Sequence, residues 1–434
     1  MVFKIGLLGL GTVGIGTAKI LLSPQGRHPL IHELEIYRVG VRDISKTRDV
    51  NISPNILTTD LEAIATDPDV DIIIELIGGL EPARSLILKA IEHGKHIVTA
   101  NKAVISRYGQ EIFDAANKKS VYVMLEASVG GGIPVIQPLK ESLGVNRIHS
   151  ITGIVNGTTN YILTRMEKEG ADFADVLADA QRLGYAEADP TADVEGLDAK
   201  DKIAILGSLA FGSIIKLEDI YCEGISQITA ADITYAAQLD FVIKLLAIAK
   251  GYPNSTNSTS DKLQLRVHPT LIPKTHPLAS INDVYNAILI EGEPIGQVMF
   301  FGPGAGAGPT ASAVVSDIMS IAAILQTKTE PIPHPLLSCT HQKSCEIEPI
   351  KELITRFYTR FLTQDKPGVI GKLGSCFGKY NVSLESVVQT GIHNQLAEIV
   401  VVTHDVREGN FRQALGEIQS LDIIDSIPSI LRVL

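Results

Sequence analysis

Residues 4–14 read Lys-Ile-Gly-Leu-Leu-Gly-Leu-Gly-Thr-Val-Gly, and no other stretch constrains the fold as tightly. A short apolar run ends in Gly9-x-Gly11-x-x-Gly14, and helix-compatible sequence follows. The pattern predicts a strand, a tight turn and a helix N-terminus. Gly9 permits a sharp turn, Gly11 leaves room for a pyrophosphate to approach the backbone, and Gly14 lets the helix pack close to the strand. The free N–H groups and dipole of the helix start favour phosphate. The position directly after a strand favours dinucleotide binding over an ordinary glycine turn.

The first 130 or so residues continue as alternating strands and helices. Strands are expected at 3–8, 34–41, 72–76, 96–99 and 121–125, with helices including 83–93 and 109–118. This alternation predicts a doubly wound parallel sheet of Rossmann type. The second strand ends in Val39-Gly40-Val41-Arg42-Asp43. An arginine there can take the 2′-phosphate of NADP, and an acid the 2′-hydroxyl of NAD. Arg42, with Lys46 and Arg48 close behind, favours NADP, while Asp43 keeps NAD open. A triple-glycine turn at 130–132 follows the last sheet strand and reads as a change of direction or a cation-binding loop.

From about 135 to 300 the pattern becomes mixed α/β. Helices are expected at 135–143 and 240–250, strands at 147–155, 263–268 and 287–291, and a polar loop at 251–261. A second glycine-rich loop, 302–310, precedes a long apolar helix at 311–325 and reads either as a cover for the cofactor or as a plain crossing between domains. A proline-rich linker follows. The tail reads strand, helix, strand, strand, helix, strand, the order of a ferredoxin-like module. The expected domains are 1–134 (completed by about 303–326), 135–302, a linker at 327–349, and 350–434.

At 434 residues the chain is too long for one core. A net charge of −11 with no long basic run disfavours nucleic acid or an anionic membrane as partner. No apolar stretch reads as long and unbroken enough to span a bilayer. The first strand starts too early to leave room for a signal peptide. Four cysteines without C-x-x-C spacing predict reduced thiols in the cytoplasm.

The strongest catalytic candidates lie between Gly184 and Lys202. The first part is acidic and irregular, and a helix begins near Leu197. Ile203, Ile205, Leu206 and Leu209 mark its core side. Asp198 and Lys202, four residues apart, share that apolar face, whereas Lys200 and Asp201 are expected to point outward. Charge on a buried stripe is costly, so the pair either fixes packing as an ion pair or serves an active site. A carbonyl–alcohol interconversion needs a proton donor and acceptor, which a lysine oriented by a carboxylate supplies. Lys102, after the strand ending at Thr99, sits at the carboxyl edge of the sheet and is either a second candidate or a solvated loop lysine.

Together these motifs resemble homoserine dehydrogenase almost end to end. They are GLGTVG at 9–14 and its lead-in, Thr-Ala-Asn-Lys-Ala at 99–103, Glu-Ala-Ser-Val-Gly-Gly-Gly-Ile-Pro at 126–134, Gly-Ile-Val-Asn-Gly-Thr-Thr-Asn-Tyr-Ile-Leu at 153–163, the run from Gly184 to Lys202, and the loop 302–310. The resemblance implies Lys202 as the acid/base lysine, Asp198 as its partner and Glu187 as the grip on the substrate's amino group. It places Lys102 near nicotinamide and substrate. Gly9, Gly11, Thr12, Val13, Gly14, Arg42, Thr99 and Gly306 match cofactor-binding positions. Glu126 with the backbones of Val129, Gly131 and Ile133 matches a monovalent cation site, usually sodium. The implied reaction is reversible NAD(P)H-dependent reduction of L-aspartate 4-semialdehyde to L-homoserine, leading to threonine, isoleucine and methionine. The tail resembles an ACT domain, with Asp365-Lys-Pro-Gly-Val369 as its strand-to-helix turn, which implies an amino-acid effector such as threonine. A homodimer or homotetramer is also implied.

Two other readings make distinct demands. A semialdehyde-to-acyl-phosphate enzyme needs an activated cysteine, and Cys222 is the one cysteine in the middle segment. A nucleotide and amino-acid sensor without catalysis has no use for an acid–lysine pair on an apolar face.

Overall fold

The computed structural model describes residues 2–252, 262–327, 334–338, 343–393 and 396–434. Most of the polar loop expected at 251–261, and residues 328–333 and 339–342 of the expected linker, lie outside them.

The N-terminal sheet contains β1 (Phe3–Leu8), β2 (Leu34–Gly40), β3 (Leu57–Thr58), β4 (Ile72–Glu75), β5 (His96–Thr99) and β6 (Val123–Met124). All pairs are parallel, in the order β3-β2-β1-β4-β5-β6. The strand order reverses beside β1, and ligands of open α/β sheets bind beyond the carboxyl ends at such a point. Helices α1 (Thr12–Leu22), α2 (Leu61–Thr66), α3 (Ala83–Glu92) and α4 (Lys102–Lys119) cover the sheet. Helix α4 starts earlier than the sequence pattern suggested. Asn101 caps it, its Oδ1 accepting from the Val104 N–H at 3.2 Å. Lys102 is therefore the first residue of a helix rather than a loop lysine.

The chain continues through α5 (Ile136–Lys140), β7 (Arg147–Ile154), α6 (Gly157–Glu169), α7 (Phe173–Arg182), α8 (Thr191–Val194) and α9 (Leu197–Phe211). Next come β8 (Ser213–Ile214), β9 (Tyr221–Cys222), α10 (Ala230–Gln238), β10 (Phe241–Tyr252), β11 (Lys262–Pro273), β12 (Tyr285–Glu293) and β13 (Gly296–Pro303). The expected helix at 240–250 is instead strand β10. Residues 242–249 are all buried, because β10 is a central strand between β7 and β11. A largely apolar run fits a buried strand as well as a helix. Lys244, within this strand, is fully buried and donates to the Ile281 carbonyl at 2.6 Å and Asn282 Oδ1 at 3.0 Å.

Helix α11 (Ala307–Thr327) returns to the first sheet. It is long and apolar enough to cross a membrane, contrary to the sequence expectation. Here it is a core helix: Val314, Ile318 and Ile321 pack with Ile5, Leu7 and Ile74 of the sheet. It also lies close against α1, since a Cβ on Gly16 would sit 2.7 Å from the Ala307 carbonyl oxygen.

The two-residue strands β14 (Lys343–Ser344) and β15 (Glu346–Ile347) lead into the tail. It consists of β16 (Ile354–Gln364), α12 (Val369–Lys379), β17 (Leu384–His393), β18 (Leu396–Thr403), β19 (Val406–Arg407), α13 (Glu408–Gln419) and β20 (Ile424–Val433). Strands β20-β16-β18-β17 form the expected ferredoxin-like antiparallel sheet. Phe357, Phe361, Phe377 and Phe411 fill its core. One feature was not legible in the sequence. Strand β20 pairs in parallel with β11, Thr270 opposite Arg432 and Leu271 opposite Val433, so the tail sheet continues the middle sheet.

Candidate active site

The turn after β1 has the geometry that the glycines require. Gly9 has φ +105°, and a Cβ on Gly14 would lie 2.2 Å from the Gly9 carbonyl oxygen. Gly11 faces open space and caps α1 with no side-chain hydrogen bond, which leaves the first-turn N–H groups of Thr12 and Val13 available to an anion. Arg42 is exposed just beyond β2. Asp43 is turned toward its own loop, its Oδ1 accepting from the Ser45 hydroxyl at 2.6 Å and N–H at 2.8 Å, and these bonds hold its carboxyl below the usual range. Gly306, φ +119°, stands just before α11. The two glycine-rich loops interlock, because a Cβ on Gly131 would fall 2.5 Å from the Gly304 carbonyl.

Thr99 ends β5. Its hydroxyl donates to Glu75 Oε2 at 2.7 Å and accepts from the Asn101 N–H at 3.0 Å. Glu75 is fully buried at the end of β4 and also accepts from the Ile77 and Gly78 N–H groups. Sequence reasoning did not single it out, although an acid closing an all-isoleucine strand was a signal.

This arrangement brings Lys102 to the middle segment. Asp198 lies in the first turn of α9 and is buried. Its Oδ1 is 2.9 Å from Lys102 Nζ, and its Oδ2 is 2.7 Å from Lys202 Nζ. Oδ2 also accepts from Asn156 Nδ2 at 2.9 Å. Burial pushes the Asp198 carboxyl up, but the two ammonium groups and these hydrogen bonds outweigh it and hold the group well below the usual carboxylate range. The Asp198 charge in turn raises Lys102 above the ordinary lysine value. Lys202 Nζ also donates to the Val155 carbonyl at 2.6 Å. Asn156 caps α6 and uses the same amide nitrogen to reach Asp193 Oδ1 at 2.7 Å. Asn156 and Asp193 thus join the cluster, and the Asn156-Gly157 pair at a helix start was the readable sign.

Two neighbouring expectations fare differently. Asp201 does not point outward. It is buried and accepts from Arg107 Nη1 and Ser106 Oγ, both at 2.9 Å, so that α9 is fastened to α4 along its length. Glu187 is exposed in the loop between α7 and α8, with its carbonyl accepting from Gln181 Nε2 at 3.1 Å. The structure does not bring its carboxylate to Asp198.

At the triple-glycine turn, Glu126 is buried and spends its carboxylate on the N–H groups of Val135, Ile136 and Gln137 at 2.6–2.8 Å, closing the N-terminus of α5. None of the described hydrogen bonds ends on the carbonyl oxygens of Val129, Gly131 or Ile133. Asp317 of α11 accepts from the Glu126 N–H at 2.8 Å, and its Oδ1 has no partner among the described residues. Burial, reinforced by the Glu126 charge, raises the Asp317 carboxyl well above its usual value. A raised carboxyl pKa contributes stability that is present below the unfolded value and lost as pH rises through the folded one. Asp317→Asn is therefore expected to remove this loss. Thermal melts across pH should show the variant gaining on the native protein as pH rises, and parallel profiles would refute it.

Cys222 is no activated nucleophile. Burial pushes its thiol up to about 11, and Sγ donates to the Glu195 carbonyl at 3.3 Å. That disposes of the acyl-phosphate alternative.

Comparison with known proteins gives the family. The family model for the NAD-binding domain of homoserine dehydrogenase matches residues 9–126, and the homoserine dehydrogenase model matches 134–319. The homoserine dehydrogenase of Synechocystis sp. is 65% identical over 100% of both chains. The chain belongs to the homoserine dehydrogenase family. It is an NAD(P)-dependent oxidoreductase, which sets aside the sensor reading. An ACT-domain model matches 357–422. The Bacillus subtilis homoserine dehydrogenase is 40% identical over 99% of this chain and 98% of its own length. Among solved structures, a homoserine dehydrogenase from Thiobacillus denitrificans superposes with a TM-score of 0.92 at 40% identity, covering 100% of this chain and 98% of that one. A hyperthermophilic archaeal homoserine dehydrogenase in complex with NADPH gives a TM-score of 0.62 at 25% identity, covering 74% of this chain and 98% of that one.

Proposed function

We propose that the Asp198 cluster is the catalytic centre for reversible conversion of L-aspartate 4-semialdehyde to L-homoserine, with Lys202 as proton donor and acceptor. The observation that carries this is the meeting of Lys102 and Lys202 on the two oxygens of one buried carboxylate, beside the carboxyl end of β5. Lysine has three N–H donors. Two of Lys202's point to Asp198 and the Val155 carbonyl, leaving the third for a substrate oxygen. Asp198 holds the ammonium in place and balances its charge. Lys102 adds positive potential where oxygen charge develops. Glu187, exposed in the loop before α8, is the residue proposed to take the substrate's amino group.

The open Gly11 edge and the first turn of α1 suit a pyrophosphate, with Gly306 and Thr99 bordering the same region. A bound nicotinamide cofactor supplies the hydride. Arg42 is exposed while Asp43 is engaged with Ser45, which favours NADP. NADPH in the archaeal relative supports the same preference. The free carbonyls of Val129, Gly131 and Ile133 suit a monovalent cation such as sodium. Glu126 would contribute through its backbone, since its carboxylate is occupied.

The ACT module carries a cavity of about 220 Å³ at the turn from β16 to α12, lined by Asp365, Gly368, Gln389 and Ala397. Its size suits a small amino acid, and threonine is the proposed effector. Assembly as a homodimer or homotetramer in the cytoplasm completes the reading. Purified protein should generate reduced-nicotinamide absorbance with L-homoserine and NADP, faster than with NAD. Absence of signal with either cofactor, from folded protein supplied with sodium or potassium, would overturn the catalytic roles. Added threonine should slow the reaction, and an unchanged rate at millimolar threonine would remove it as effector.

A further inference from the structure

A short segment links the ACT module to the turn that carries Asp198. Arg432 of β20 is 2% exposed and makes a two-bond pair with Glu408, its Nε at 2.9 Å and Nη2 at 2.6 Å. Its remaining nitrogen, Nη1, reaches out of the module to Glu223 Oε2 at 2.9 Å. The Tyr221 hydroxyl donates to the same Glu223 oxygen at 2.8 Å, and the Tyr221 ring lies under the guanidinium at 4.7 Å. Strand β9 is anchored beside β11, with the Glu223 N–H donating to the Val267 carbonyl at 2.9 Å.

The same segment presses on the residues before α9. The Ile225 N–H donates to the Val194 carbonyl at 2.8 Å, and Cys222 Sγ to the Glu195 carbonyl. A Cβ on Gly224 would lie 2.2 Å from the Val194 carbonyl oxygen and 2.5 Å from Glu195 Cα. Only glycine allows so close an approach. Gly196 follows with φ +77° and opens α9, two residues before Asp198. Asp193, on the other side of this turn, shares Asn156 with Asp198.

We infer that residues 221–225 form a positioning strap, held from the ACT module by Arg432 through Glu223, that sets where the α8–α9 turn places Asp198. Glu223 and Gly224 are positioning residues for the reaction, and the inference rests on the reading of Asp198 as the partner of Lys202. The strap is braced on one side by a charge-assisted bond and on the other by backbone at contact distance. A shift of β20 has little slack to be lost in before it reaches the carboxylate. A displacement of about 1 Å at a catalytic group costs as much as about 100-fold in rate. Any effector in the ACT cavity that moves β20 would act on turnover through this contact.

A second buried network joins the same two parts through α10 and Thr229 instead of through Glu223, and it provides the control. Arg360 of β16 bonds Asp232 of α10 at 2.9 Å and Glu398 at 2.8 Å. Steady-state kinetics and thermal melts on Glu223→Ala, Glu223→Gln, Arg360→Lys and Lys202→Ala test the inference. Glu223→Ala should lower kcat about tenfold to a hundredfold with the KM for NADPH unchanged. Glu223→Gln, which keeps an acceptor for Arg432, should restore most of that rate. Arg360→Lys should lower the melting temperature and keep its kcat. Native kcat in Glu223→Ala, or an equal kcat loss in Arg360→Lys, would overturn the strap. Retained activity in Lys202→Ala would instead overturn the catalytic reading beneath it.

Discussion

Replacing Lys202 by alanine is expected to cut kcat for homoserine oxidation by about 10²–10⁴-fold, the range that general acid–base groups supply. Binding of NADPH should stay close to native, since the described hydrogen bonds of Lys202 go to Val155 and Asp198 and not to the Gly9–Gly14 turn. The expectation rests on geometry. The ammonium is held by the Val155 carbonyl and Asp198, and its third N–H is the one donor of this group left for substrate. Removing it also leaves Asp198 with Lys102 and Asn156 as partners, so the fold keeps a partly compensated carboxylate. Cofactor titration by fluorescence and initial rates on the same preparation check both halves. Turnover within a few-fold of native would take Lys202 out of the mechanism.

Asp198→Asn should be nearly as damaging to rate and worse for stability. The substitution keeps the shape but leaves two ammonium groups close together without their shared counter-charge. The Lys202 side chain is 11% exposed and that of Lys102 is 38% exposed, so the loss falls mainly on the Lys202 pair. Breaking one side of a buried pair costs about 3 kcal/mol, with the more exposed contact adding less. The pH dependence has a definite sign. A depressed carboxyl pKa contributes stability that is present above the unfolded value and lost as pH falls through the folded one. The deficit of Asp198→Asn should therefore be full at neutral pH and shrink below the ordinary carboxylate range. Denaturant unfolding at neutral and acid pH measures it, and a deficit that grows in acid would contradict the ion-pair account.

Much of this site was legible because the relevant constraints are local. Glycines at 9, 11 and 14 announce a turn whose backbone tolerates no Cβ at Gly14, and the structure has that turn. The four-residue spacing of Asp198 and Lys202 puts them on one face of any helix, and they pair there. The ferredoxin-like order of the tail follows from its alternating segments. The failures involve residues whose environment comes from far away in sequence. The run 240–250 has the composition of either a helix or a core strand, and only its place between β7 and β11 makes it β10. Asp201 looked solvent-facing on a wheel, yet α4 lies against that side and supplies Arg107 and Ser106. The membrane-length helix α11 is explained by the sheet it covers.

The sequence by itself determined the nucleotide turn, the acid–lysine pair and the parallel N-terminal sheet, because each is written in short spacings that dictate backbone conformation or helix face. Tertiary structure alone decided that Lys102 would meet Asp198 across 96 positions, that Glu75 would lock Thr99, and that β20 would extend the middle sheet and put Arg432 within reach of Glu223. Those contacts depend on how helices and strands stack once apolar faces are buried. Burial depends on the whole chain, and no local pattern encodes it.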